Sequence, residues 1–120
     1  MNEVRLPREL VNRLLTRAQR DEREVCGLIG REAGGSYRLL PARDLDALRA
    51  SRPDPAGTLA VYCSHPTGPA TPSAREHADA LETLPWLIIA LGTRGVLEMR
   101  AFAVTATGRV ELPLTLVGAP

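Results

Sequence analysis

Lysine is absent from this 120-residue chain, and all 15 basic side chains are arginines. The absence excludes chemistry that depends on a lysine amine, both Schiff-base catalysis and the phosphate-reaching lysine of a P-loop. With a net charge of +1 the chain also lacks the surplus of cations that marks a nucleic-acid binder, and no face is expected to neutralise a phosphate backbone. Long apolar runs are missing too. The longest, Leu84 to Leu91, contains Pro85 and falls far short of the roughly 20 residues a membrane helix needs. The opening "MNEVRLPREL" has no charged-then-apolar leader pattern, which predicts a cytoplasmic, reducing setting in which the only two cysteines, Cys26 and Cys63, remain thiols.

What is present has the balance of a folded domain. Apolar residues make up 44% of the sequence and charged ones 24%, and the length suits one hydrophobic core and not two. Residues 1–120 are therefore expected to form a single domain.

The pattern along the chain predicts its elements. Leu10, Val11, Leu14, Leu15 and Ala18 recur at helical spacing with Arg13, Arg17 and Arg20 between them, which predicts an amphipathic helix over about residues 7–20 with Pro7 in its first turn. "EVCGLIGREA" and "SYRLLPAR", joined through Gly34 and Gly35, read as a hairpin. Residues 44–57 mix a short helical pattern with the loop "RPDPAG" and are expected to form an exposed crossing segment. "TLAVYCSH" reads as a buried strand that ends at Pro66, because "PTGPATP" can continue neither helix nor sheet. Ser73 with Glu76 three residues on forms a capping box, opening a helix expected to run to about Leu84. "WLIIALG", "VLEMRAFAVT" and "RVELPLTLV" follow as three strand candidates. This order does not alternate regularly enough for a doubly wound fold, and it predicts the α+β class, a mixed sheet flanked by helices.

Chemistry concentrates in "CSHPTGPATPSARE", residues 63–76. Cys63 and His65 are two apart at a strand's end, so their side chains share a face, as two ligands of one metal require, while Ser64 faces away. Glu76 follows His65 by eleven residues, across a loop stiffened by Pro66, Pro69 and Pro72, and can bring a carboxylate from a helix's first turn to the strand's tip. Each residue also has a plainer reading. Glu76 can serve purely as a helix cap, Cys63 as a buried thiol, and Glu24 as one charge in the solvated run "DERE". His77, next to Glu76, points about 100° away around the helix and is expected to face solvent.

The order Glu24 in "EVCGLIG", then "CSHP", then Ser73 and Glu76 resembles the JAMM (MPN+) metallopeptidases, whose pattern is Glu, then His-x-His, seven residues, and Ser-x-x-Asp. Seven residues separate His65 from Ser73 and two separate Ser73 from Glu76, matching both spacings. "GPATPS" is similar to the small bacterial members in particular. The resemblance covers nearly the whole chain and implies the family's architecture, a mixed sheet between helices of the MPN or cytidine-deaminase-like kind. It implies further that Glu24 is the general base, that His65 is a zinc ligand, and that Ser73 helps stabilise the tetrahedral intermediate. The substrate it implies is the C-terminal tail of a ubiquitin-like or sulfur-carrier protein, with neither nucleic acid nor membrane as a partner.

Two positions depart from the pattern. Cys63 stands where the family has its first ligand histidine, and Glu76 where it has aspartate. Thiolate sulfur binds zinc at about 2.3 Å and carboxylate oxygen at roughly 2.0–2.2 Å, so Cys63, His65 and Glu76 remain a chemically sound zinc set. Their charge differs, however. Thiolate, imidazole and carboxylate cancel the two positive charges of Zn2+, whereas two histidines and one carboxylate leave a surplus, so water at this site is expected to be acidified less. The sequence thus predicts a zinc hydrolase of peptide or isopeptide bonds, with a metal-free binding or assembly module of the same fold as the alternative. A redox-responsive thiol without hydrolytic activity is a third possibility.

Overall fold

The structure, a computed structural model, describes residues 3–20, 25–32, 34, 36–42, 45–50, 57–65, 84–93, 96–105 and 108–118. Along the chain these form β1 (Val4–Pro7), α1 (Arg8–Gln19), β2 (Cys26–Arg31), β3 (Tyr37–Ala42), α2 (Leu45–Ala50), β4 (Thr58–His65), β5 (Pro85–Thr93), β6 (Val96–Thr105), β7 (Gly108–Leu112) and β8 (Leu114–Val117). β2 to β7 build a six-stranded sheet in the order β3-β2-β4-β5-β6-β7, and β1 pairs with β8 apart from it. The architecture is α+β, with a mixed sheet, as the element order predicts.

Period-two alternation divides the strands' side chains between two cores. On one face, Ile29, Ala60, Tyr62, Leu87, Ile89 and Ala101 pack against Leu10, Val11, Leu14 and Ala18 of α1 and against β1. On the other, Cys26, Leu28, Val61, Cys63, Trp86, Ile88 and Phe102 pack against Leu48 of α2 and Leu84. Burial on both faces explains why β4 and β5 are nearly continuous apolar runs without alternating polar residues. Every strand pair in the sheet is antiparallel except β4 with β5, which is parallel, with Cys63 opposite Ile88 and His65 opposite Ala90. A parallel pair cannot be joined by a tight hairpin turn, which sets β4 and β5 apart from the other neighbouring strands of the sheet.

Several boundaries differ from expectation. Pro7 closes β1 and caps α1, so the helix starts at Arg8. β1 escaped the reading because four residues are too few to show a period. The segment expected to be an exposed crossing carries Leu48 into the second core, only 2% exposed. The last apolar run breaks at Pro113, which cannot donate to a ladder. β8 therefore leaves the main sheet and pairs in parallel with β1, where the Val4 amide donates to the Pro113 carbonyl at 2.9 Å. The capping-box helix expected from Ser73 lies outside the described residues, and Leu84, where it was expected to end, is not helical.

One close approach is written into "CGLIG". Gly27 lies opposite Tyr62, and a Cβ on it would come within 2.5 Å of the tyrosine hydroxyl and 2.7 Å of the Leu40 carbonyl oxygen. The glycine is thus required by space. Tyr62 is 2% exposed, and among the described residues its hydroxyl finds no hydrogen-bond partner of ordinary geometry. Burial pushes its pKa above the usual 10.0, opposed by the neighbouring Arg17 guanidinium. Because the folded protein holds this proton more tightly than the unfolded chain, the stability contributed is complete below pH 10.0 and is lost as the pH climbs from there through the raised value. Replacing Gly27 with Ala is expected to destabilise the fold by about 1–3 kcal/mol, the cost of overpacking, read as a lower urea midpoint at unchanged slope. An unchanged midpoint would show that the sheet yields at this crossing.

Candidate functional site

The site begins at the carboxyl end of β4. Cys63 belongs to the core on the α2 side, and His65, two residues on, is placed on the same face by the pleat. Both are buried, Cys63 fully and His65 to 9% exposure. The structure thus brings the predicted thiol and imidazole to one face at a strand's tip, between β2 and β5.

Ser64 does face away from Cys63, but it has work of its own. Its hydroxyl accepts a hydrogen bond from the Val25 amide at 2.8 Å, and its own amide donates to the Val25 carbonyl at 2.8 Å. This reciprocal pair clamps the entry of β2 to the end of β4. Sequence reading missed it, although a serine within an otherwise apolar strand is a signal that a buried polar group must find a partner.

The clamp also fixes the neighbouring position. In an antiparallel ladder hydrogen-bonded and non-hydrogen-bonded pairs alternate, so the Val25–Ser64 bond makes Cys26–Cys63 a non-hydrogen-bonded pair. In such pairs the Cα atoms stand about 4.5 Å apart and the side chains are closest, within the span a disulfide bridges. The two sulfurs are 2.7 Å apart, and both residues are buried thiols.

Of the other predicted residues, Glu24, Ser73 and Glu76 lie outside the described residues, as does His77. Among the described residues no three His, Cys, Asp or Glu side chains converge on a metal position, so Cys26 does not complete a set with Cys63 and His65. The donor types present are those zinc accepts, thiolate sulfur and imidazole nitrogen. Glu76, the third ligand the sequence predicts, lies outside the described residues.

What the described atoms can do directly is thiol chemistry. A two-electron oxidant such as diamide, taking both thiol hydrogens, is expected to join Cys26 and Cys63 in a disulfide, seen as the loss of two hydrogens in the intact mass. The change should be absent from Cys63→Ser, and an unchanged mass for the oxidised wild-type protein would contradict the contact.

Comparison with known proteins gives this geometry a context. Residues 7–105 match the family described as prokaryotic homologs of the JAB domain. Over 77 residues the chain is 39% identical to a Thermus thermophilus protein named as a probable TtuB-protein conjugate cleaving protease. That match covers 64% of this chain and about half, 49%, of the relative's length. A solution structure of a Desulfitobacterium hafniense protein superposes with a TM-score of 0.69 at 25% identity, covering 97% of this chain and 94% of that one. The crystal structure of a JAB1/MPN domain protein from Archaeoglobus fulgidus gives 0.57 at 18% identity, covering 94% and 98%, a likeness of fold alone.

Proposed function

The chain belongs to the prokaryotic homologs of the JAB domain, and from that premise we propose that it is a zinc-dependent hydrolase of peptide or isopeptide bonds, releasing a ubiquitin-like or sulfur-carrier protein from its conjugates. The observation that carries the reading is the joint between β2 and β4. It holds the residue after Glu24 against the residue between Cys63 and His65, so a base at position 24 and donors at 63 and 65 start from one fixed point.

In this reading Cys63, His65 and Glu76 hold the metal. When bound, zinc supplies Lewis acidity, polarising a scissile carbonyl and lowering the pKa of water nearby. Glu24 accepts the proton of the attacking water and returns it to the leaving amine, and Ser73 donates a hydrogen bond to the oxyanion. The Thermus relative, by its name, cleaves protein conjugates of TtuB, which supports a carrier protein as the partner here. A reducing, cytoplasmic setting keeps Cys63 available as a thiolate donor. The thiolate and the Glu76 carboxylate together cancel the zinc charge, so the lower limb of the pH–rate profile is placed above that of a site with two histidines.

One observation favours a second reading. Cys63 is fully buried with its sulfur against that of Cys26, an environment that also suits an inert core thiol. The chain would then be a metal-free module that binds or assembles without cleaving.

Elemental analysis separates the two. The enzyme reading predicts one equivalent of zinc after dialysis, lost in Cys63→Ser. It also predicts that Glu24→Gln retains zinc while cleavage of a carrier-tail fusion falls by about 10²–10⁴-fold, the usual worth of a general base. Absence of zinc from both wild-type and Cys63→Ser protein, or full activity in Glu24→Gln, overturns it.

A further inference from the structure

A second surface, on the opposite face of the sheet from Cys63, fits a partner of particular chemistry. We propose that the outer edge of β3, overhung by Arg13 and Arg17 of α1 and by Arg20 at its C-terminal cap, takes an extended acidic segment of a partner protein as an added strand. The proposal stands apart from the metal-site reading and does not rest on it.

Among the described residues β3 has β2 as its single neighbour and forms one edge of the sheet. The ladder shows which of its peptide groups β2 leaves unused, the Tyr37 carbonyl being reached instead by Arg13. The Glu32 amide bonds the Ser36 carbonyl at 2.9 Å, one step beyond the Arg31–Tyr37 pair, which makes Arg31–Tyr37, Ile29–Leu39 and Gly27–Pro41 the non-hydrogen-bonded pairs. The peptide groups of Tyr37 and Leu39 and the carbonyl of Pro41 therefore point outward. The Arg13 guanidinium donating to the Tyr37 carbonyl at 3.4 Å agrees with this, since that oxygen is reached from the edge side. Pro41, which has no N–H, limits the edge to a short segment, the usual way a sheet avoids unlimited pairing.

Charge then selects the occupant. Tyr37 and Leu39 pack on the α1 side, so alternate side chains of an added strand would lie beneath that helix. There, Arg13, Arg17 and Arg20 line a groove of about 400 Å³ with Leu39, and a second hollow of about 210 Å³ shares Arg13 and Glu9 with it. Among the described residues none of the three arginines is in a salt bridge. Positions 13, 17 and 20 fall on one helix face about 4.5–6 Å apart along the axis, close to the spacing of about 6.8 Å between alternate residues of a strand. Carboxylates at alternate positions of a short peptide would each meet a guanidinium while its backbone bonds Tyr37 and Leu39. A second copy of this chain is a poor occupant, because pairing β3 with itself sets one arginine row against another. A phosphate backbone matches the charge but leaves the outward amides and carbonyls without a ladder.

The test uses the full chain and a fluorescein-labelled seven-residue peptide alternating Glu and Val, read by fluorescence anisotropy. Saturable binding is expected, with none for the matching Lys and Val peptide and marked weakening by an Glu and Val peptide N-methylated at alternate backbone amides. Arg13→Glu on α1 and Arg20→Glu at its cap, both at exposed positions, should each weaken binding by about tenfold while circular dichroism stays unchanged. Amide exchange at Tyr37 and Leu39 should slow in the complex. Failure of the acidic peptide to bind, equal binding by the N-methylated peptide, or its displacement by an oligothymidylate overturns the proposal. So does a wild-type dimer that dissociates in Arg20→Glu.

Discussion

The pairing of β2 with β4 at one point, where Val25 and Ser64 exchange hydrogen bonds through a backbone amide on one side and a side-chain hydroxyl on the other, sets the rest of the candidate site. Once those two residues form the hydrogen-bonded rung, the next rung must be a close-approach pair. Its two members are Cys26 and Cys63. The same register puts Gly27 opposite Tyr62, a crossing that tolerates no side chain on the glycine. Thiol contact, strand entry and close approach are consequences of one alignment, and a slip of one residue would carry all of them to the wrong face.

This alignment gives Cys63 two chemical prospects. In the proposed zinc set it is a thiolate donor beside His65, with Glu76 as the third ligand. As a thiol against Cys26 it is half of a pair ready to be oxidised, and a disulfide would withdraw its sulfur from any metal. The family's histidine at that position cannot make this second bond, so the departure at Cys63 does more than alter the site's charge. If Cys63 holds zinc as proposed, its contact with Cys26 would link metal binding to the redox state of the protein.

Much of this was legible because strand side chains obey a strict period. The alternation in "TLAVYCSH" placed Cys63 with His65, the glycine pair after "REA" gave the hairpin, and the spacing of "CSHP" to Ser73 and Glu76 carried the family resemblance. What the sequence hid depended on partners distant along the chain. Ser64 found its role in Val25, 39 residues away. β1 is too short to have a pattern and exists through β8, itself cut from the last apolar run by Pro113. Leu48 went inward because the second face of the sheet needed a cover, which a local reading of residues 44–57 could not reveal. The net charge of +1 likewise concealed a row of three arginines along one helix face, since composition averages over surfaces that act separately.

The two faces of the sheet therefore carry different chemistry: thiol and imidazole on the α2 side, guanidinium on the α1 side. The central claim concerns the first, that the sulfur of Cys63 is a metal donor. X-ray absorption at the zinc edge of the zinc-loaded protein tests it most directly. The account predicts a single sulfur scatterer at about 2.3 Å among nitrogen and oxygen donors. A shell without sulfur would contradict it by leaving Cys63 a core thiol, and a shell with two sulfurs would contradict it by recruiting Cys26 and closing the position that hydrolysis needs.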